Sequence, residues 1–307
     1  MDFSLVPEWI LFAVTLVCAI STNTMNAFYI KRKIKNNTHL FLYNSGIGLF
    51  CAIALFIIGG FNLKISGFSV LLAVAFGIAN VGLSVFMALS FKKGPYGFSN
   101  VIVNMSTAIT ALSGAIFWQE ELSVFKIIGI VLMLCCFVLA VDLSNKDGKK
   151  ANIGWFICAV LSLCCSASIG IMQKIHQSSA YKAELMPFLV MAFVTNAVAS
   201  FVVYLVLRVK NPIPKEQTVV EGEKKLFVIP YLLIIAMFIC GVCGAGNNAI
   251  NLFLSGKIDS AIFFPIVNGV PLLASLLVSV ILFREKLAKK QVSGLLVGLV
   301  AIACLFF

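Results

Sequence analysis

Apolar runs about twenty residues long follow one another along the whole chain, and a run of that length crosses a hydrocarbon layer as one α-helix. Ten are present, near 8–30, 39–60, 68–91, 95–118, 123–142, 152–174, 184–208, 227–254, 258–283 and 288–307; we number them spans 1 to 10. Short polar breaks separate them. Lys92-Lys93-Gly94-Pro95 parts spans 3 and 4, and Ser255-Gly256-Lys257-Ile258-Asp259 parts spans 8 and 9. Helix is the predicted element throughout, because backbone in hydrocarbon must satisfy its own polar groups.

The pattern is written twice. Val101-Ile-Val-Asn104 recurs as Pro265-Ile-Val-Asn268, and Trp118-Gln-Glu-Glu-Leu122 with Gly129 recurs as Phe283-Arg-Glu-Lys-Leu287 with Gly294, at offsets of 164 and 165 residues. Five spans per copy is an odd number, so the second copy must enter the membrane in the opposite orientation. The expected architecture is an all-α integral membrane protein, ten transmembrane helices forming two inverted five-helix repeats. Residues 1–142 make the first repeat, 143–151 a linker, and 152–307 the second.

Composition agrees with a lipid environment. Hydrophobic residues make up 61% of the chain and charged residues 11%, with a mean hydropathy of +1.05; soluble domains carry about 25% charged residues. The first span ends in Lys31-Arg32-Lys33 and reads as a retained helix rather than a cleaved leader. The net charge of +11 is topological and calls for no nucleic-acid partner. Of the 23 Lys and Arg residues, 18 fall in the breaks after spans 1, 3, 5, 7 and 9, leaving Lys64, Lys126, Lys174, Lys182 and Lys257 on the other side. The positive-inside rule makes the richer side cytoplasmic, in a plasma membrane, with both termini outside. Arg208 to Lys225, with Pro212 and Pro214, reads as a link between spans 7 and 8. Trp9, Trp118 and Trp155 fall at span ends, where interfacial anchors sit. All ten cysteines lie within spans, and Cys240-Gly-Val-Cys243 reads as packing rather than redox or metal chemistry.

Ten spans, a five-plus-five duplication, and a Glu-x-Leu turn leading into a Gly-bearing last span of each half (Glu120-Glu121-Leu122…Gly129 and Glu285-Lys286-Leu287…Gly294) together resemble the drug/metabolite transporter superfamily in its EamA-like branch. The resemblance covers essentially the whole chain. It implies a bundle around a central cavity lined by spans 1, 3, 4, 6, 8 and 9, with spans 5 and 10 peripheral, working by alternating access on small molecules. Many relatives carry both termini in the cytoplasm, whereas the charge distribution here places them outside.

Polar residues at membrane depth carry the chemistry, since each costs free energy without a partner or water. Ionisable groups avoid the middle of every span: Lys126, Lys174, Glu184, Arg208, Asp259, His39 and His176 all lie near ends. A proton-titrating carboxylate or histidine at the midplane is therefore not expected. Asparagine takes its place. Span 1 holds Asn23 and Asn26, span 3 Asn80 with Ser84, span 4 Asn100 and Asn104 with Ser106 and Thr107, span 8 Asn247, Asn248 and Asn251, and span 9 Asn268. Spacings of three and four put Asn23/Asn26, Asn80/Ser84, Asn100/Asn104 and Asn247/Asn251 on single helix faces. Amides both donate and accept, so a ring of them suits a zwitterion, a polyol or an amide-bearing solute; the alternative use is helix-to-helix bonding. Ser162, Ser166, Ser168 and Gln173 add polarity to span 6, with Ser166 the candidate contact.

Pro265 and Pro271 with Gly269 predict a break or hinge in span 9, beside the cavity; the matching stretch of span 4, Val101 to Thr107, has no proline. Gly77, Gly82, Gly241, Gly244 and Gly246 read as close helix packing. Gly294-x-x-x-Gly298 in span 10 admits either packing within the chain, the commoner use, or a homodimer contact. Glu120 and Glu285 are expected to cap the helices that follow them. With no nucleophile–base pair and no ligand cluster in the spans, neither catalysis, nor a cofactor, nor a metal is expected. The leading function is an alternating-access carrier, facilitator or exchanger, for small polar or amphipathic metabolites. A channel for small neutral solutes is the alternative, and a membrane-embedded enzyme is weaker still.

Overall fold

The computed structural model describes residues 6–33, 37–94, 96–140, 152–210, 231–283 and 289–307. Among them are eleven α-helices and no strand: α1 (Glu8–Lys33), α2 (Asn37–Ile58), α3 (Gly67–Lys93), α4 (Tyr96–Asn104), α5 (Ser106–Trp118), α6 (Val124–Ala140), α7 (Ile153–Ser178), α8 (Leu185–Lys210), α9 (Tyr231–Ser255), α10 (Ser260–Phe283) and α11 (Lys289–Leu305). Among the described residues, six helical segments are long and apolar enough to cross a membrane, including Gly67–Lys93, Ile153–Ser178 and Leu233–Ser255. That is compatible with a multi-pass membrane protein. The outward faces agree: Leu71, Ile116, Ile153, Leu205, Leu296 and Val300 are all exposed, a surface that would aggregate in water and that lipid covers.

Helix starts are set by side chains. Ser66 Oγ accepts from Ser69 N to open α3, and Asn152 Oδ1 accepts from Trp155 N at 2.8 Å to open α7. Trp155 departs from the outward anchor expected of it. It is buried, donates its indole N–H to Ser99 Oγ at 2.8 Å, and packs on Gly94, while Ser99 exchanges a 2.7 Å hydrogen bond with Ser90. The turn from α3 to α4 is thereby tied to the start of α7.

Helices pack across the two halves of the chain. α2 lies on α8 and α9, α3 on α7 and α8, α1 on α9 and α10, α5 on α7 and α10, and α6 on α11. One core gathers Leu11, Leu55, Phe76, Phe188, Leu252 and Phe263; another gathers Met133, Phe137, Ile266, Leu273 and Leu305. Gly298 of α11 faces Leu273 and Cys136 of the same chain, and Gly294 is buried as well. A homodimer through this helix would therefore use its other side, where Leu296, Leu299 and Val300 point outward.

The expected break is not found at the prolines. α10 runs unbroken through Pro265 and Pro271, whereas the equivalent helix of the first half is interrupted at Met105, between α4 and α5. Met105 N donates to both Val101 O and Ile102 O, the tightened hydrogen bonding of a 3₁₀ turn. Just beyond it Thr110 Oγ1 donates to Ser106 O and Thr107 O, and Ser113 Oγ to Thr110 O. Hydroxyls that compete for backbone carbonyls bend helices, which explains a break without proline.

Candidate functional site

The first turn of α5 joins three helices through uncharged groups. Ser106 Oγ and Ser166 Oγ of α7 lie 2.8 Å apart, and Asn268 Nδ2 of α10 donates to Thr107 Oγ1 at 3.1 Å. Two of the predicted residues, Ser166 and Asn268, thus meet adjacent positions of one helix. A separate polar pair lies on α9, where Asn251 Nδ2 donates to Asn247 Oδ1 at 3.3 Å. The Oδ1 of Asn251 is buried and has no partner among the described residues, and Thr15 Oγ1, on α1, is in the same condition. Thr15 is 0% exposed and Asn251 7%. α1 packs against α9, with Cys18, one turn beyond Thr15, facing Gly246.

Other predicted residues are differently engaged. Asn80 Nδ2 donates to Phe76 O at 3.1 Å and Asn248 Nδ2 to Gly244 O at 2.8 Å, so these two amides bond their own helices. Asn100 and Asn104 are half-buried on α4. The side chains of Asn23 and Asn26 lie outside the described residues, as does the turn containing Glu285.

Charges gather at one end of the bundle. Lys174 Nζ of α7 sits 2.6 Å from Glu120 Oε1, with both side chains about nine-tenths buried, and also donates to Ile258 O at 3.2 Å. Glu120 Oε2 accepts the backbone N–H of Ser260 at 2.6 Å. Glu120 therefore caps α10 in the other half, not the following helix α6 as its position suggests; Ser123 Oγ takes that role by accepting from Lys126 N. Lys126 Nζ completes the network with Asp259 Oδ2 at 2.8 Å and Glu121 O at 3.1 Å. Gln119 adopts the left-handed conformation, φ 55°, that turns the chain to place Glu120 against Gly114. Beside this network Glu184 accepts from Ser66 N and Oγ, and His176 stacks on Phe188 at 4.2 Å.

Among the described residues the arrangement offers uncharged hydrogen-bond donors and acceptors within the helices and ion pairs at one end. Among the described residues no group of three or more His, Cys, Asp or Glu stands close enough to hold a metal. Two features escaped the sequence. Glu120 and Lys174 lie 54 positions apart in different halves, with no local signal to pair them. Thr15 looked like an ordinary span threonine, which usually bonds its own backbone.

No protein-family model matches the chain, and no curated protein matches it. A solved structure described as "Crystal structure of protein" is similar over 97% of this chain and 98% of its own, with a TM-score of 0.70 and 12% identity. At that identity the likeness is one of fold.

Proposed function

We propose that the chain is a secondary carrier of the EamA-like, drug/metabolite transporter type, moving small uncharged or zwitterionic metabolites across the plasma membrane by alternating access. Its ten spans form two inverted five-helix halves, with α4 and α5 together making the fourth span. Several contacts support the duplication. Exchanging the halves turns the α3–α8 contact into α2–α9 and α3–α7 into α1–α9, while α2–α8 and α6–α11 map onto themselves. Gly77 and Gly241, both at close helix crossings, are 164 positions apart, the offset of the sequence repeat.

The observation that carries the reading is the pair of buried, unpartnered oxygens on facing helices, Thr15 Oγ1 and Asn251 Oδ1. A buried polar atom without a partner costs about 1–3 kcal/mol, and a solute that donates to the amide oxygen and bonds the hydroxyl relieves that cost. Asn247, Asn268, Ser166 and the half-buried Asn100 and Asn104 supply further uncharged contacts. Without a mid-span ionisable group the cycle is facilitative or an exchange.

In proteoliposomes, uptake of labelled zwitterionic and polyol metabolites is expected to saturate and to accelerate when the unlabelled solute is loaded inside. Asn251→Leu and Thr15→Val each lower that uptake roughly tenfold, the worth of one hydrogen bond in an apolar site. Flux that never saturates would indicate a channel, and a dependence on an imposed proton gradient would remove the facilitative reading. For topology, Phe307→Cys in intact cells is expected to react with an impermeant maleimide added outside; protection from it reverses the orientation.

A further inference from the structure

α3 and α8 start at the same end of the molecule. Glu184, just before α8, accepts from Ser66 N and Oγ at the start of α3, and Phe68 stacks on Tyr181 with centroids 5.7 Å apart. The two helices therefore run parallel. They touch most closely at Gly77, where an added Cβ would lie 2.6 Å from Ala192 O and 2.7 Å from Thr195 Cβ. Beyond that crossing a groove of about 780 Å³ opens between them, walled by Val81, Gly82 and Phe86 of α3 and by Val194, Val198 and Val202 of α8. Every residue lining it is apolar except Thr195, whose hydroxyl donates to Met191 O of its own helix at 2.9 Å. Nothing in the groove asks for a polar ligand.

Both walls end in cations. Lys92 and Lys93 close α3, and Arg208 and Lys210 lie in the last turn of α8. All four are exposed, but Arg208 Nη1 donates to the hydroxyl of Tyr204 at 3.1 Å, on the face of α8 that Ala197 turns to α2, which leaves Lys92, Lys93 and Lys210 for the groove. Counting 1.5 Å per residue from the Gly77 crossing, both pairs stand about 20–27 Å along the same direction, so they share one level. From Phe86 and Val203 to these cations is about 8–10 Å, the span from the head of an acyl chain to its phosphate. By the positive-inside rule this end meets the cytoplasmic leaflet, where anionic lipids are concentrated.

We infer that the α3–α8 groove is a binding site for an anionic phospholipid of the cytoplasmic leaflet, its acyl chain between the valine walls and its phosphate among Lys92, Lys93 and Lys210. The site depends on membrane embedding alone and stands whether or not the chain is a carrier. A neutral lipid fills the same groove but gains nothing at the rim; an anion without a chain gains only the rim.

Native mass spectrometry of the full-length protein in detergent tests this with phosphatidylglycerol and phosphatidylcholine of identical chains. Phosphatidylglycerol adducts are expected to persist at roughly hundredfold lower lipid concentration, since each of the three basic residues contributes about 1 kcal/mol near a membrane surface. Replacing Lys92, Lys93 and Lys210 by Gln removes the preference and leaves phosphatidylcholine binding as it was, whereas Arg208→Gln keeps it. Val198→Trp, at an exposed wall position, fills the groove and lowers binding of both lipids. An unchanged melting temperature in these variants guards against misfolding. The inference is overturned if the two lipids bind equally to the unaltered protein, if the triple Gln variant keeps the preference, if glycerol phosphate displaces the lipid at similar concentration, or if a second copy of the chain rather than lipid accounts for the added mass.

Discussion

Glu120→Gln lowers the stability of the folded protein by about 3 kcal/mol, and Lys174→Met does the same, because each leaves a buried charge without its counter-ion. The double variant recovers most of the loss. Removing both charges also removes the cost of taking them out of water, so the pair itself contributes far less than either partner's deletion suggests. Unfolding titrations in sodium dodecyl sulfate measure all three. Additive losses, with the double variant about 6 kcal/mol down, would mean the two groups act independently and the 2.6 Å contact is energetically idle. Proximity argues against that result, since Glu120 holds Lys174 and the first backbone amide of α10 together. The same variants also test the proposed carrier cycle: this network fastens α5, α7 and α10 at the end carrying fewer cations, so under that proposal its removal favours the state open to that side. Faster exchange of an aqueous thiol reagent with a cysteine placed at Ser113 would report it.

Gly77→Ala is the second large effect, at about 2 kcal/mol of destabilisation. Its new methyl group would lie 2.6 Å from the Ala192 carbonyl oxygen, and backbone cannot swing aside as a long side chain does. Gly244→Ala is the matched control. Among the described residues nothing lies within 4 Å of the position its Cβ would take, so it is expected to be neutral or to gain up to about 1 kcal/mol from helix propensity. Equal effects at the two sites would show that backbone entropy, not the α3–α8 crossing, governs both.

Much of the fold was legible because lipid leaves a chain few options. The run expected at 68–91 is α3 (Gly67–Lys93), that at 152–174 is α7 (Ile153–Ser178), and that at 288–307 contains α11 (Lys289–Leu305). Span length and hydropathy fix such segments wherever backbone must pair internally. Local irregularity was harder to read. Pro265 and Pro271 are the strongest helix-breaking signals in the chain, yet α10 continues through both, while Met105 marks an interruption that no proline or glycine announces. The cause is a cluster of hydroxyls whose effect depends on which carbonyl each selects. Among the candidate residues, spacing placed the asparagines on faces but could not say which would turn back on its own helix. Asn248 and Asn80 do so, whereas Asn268 reaches Thr107, 161 positions away. Thr15 was invisible because its interest lies in a bond it does not make.

The interruption at Met105 divides the side-chain bonds of its helix into two sets. Ahead of it, Ser99 is held by Ser90 and Trp155. Behind it, Ser106 is held by Ser166, Thr107 by Asn268, and Glu120, just past the end of α5, by Lys174 and Ser260. No side-chain bond named here crosses the joint. Both sets nevertheless reach α7, the first at Trp155 and the second at Ser166, so one neighbouring helix spans the joint and braces both arms. Met105 is a seam splinted from one side, and only the first half of the chain is built that way.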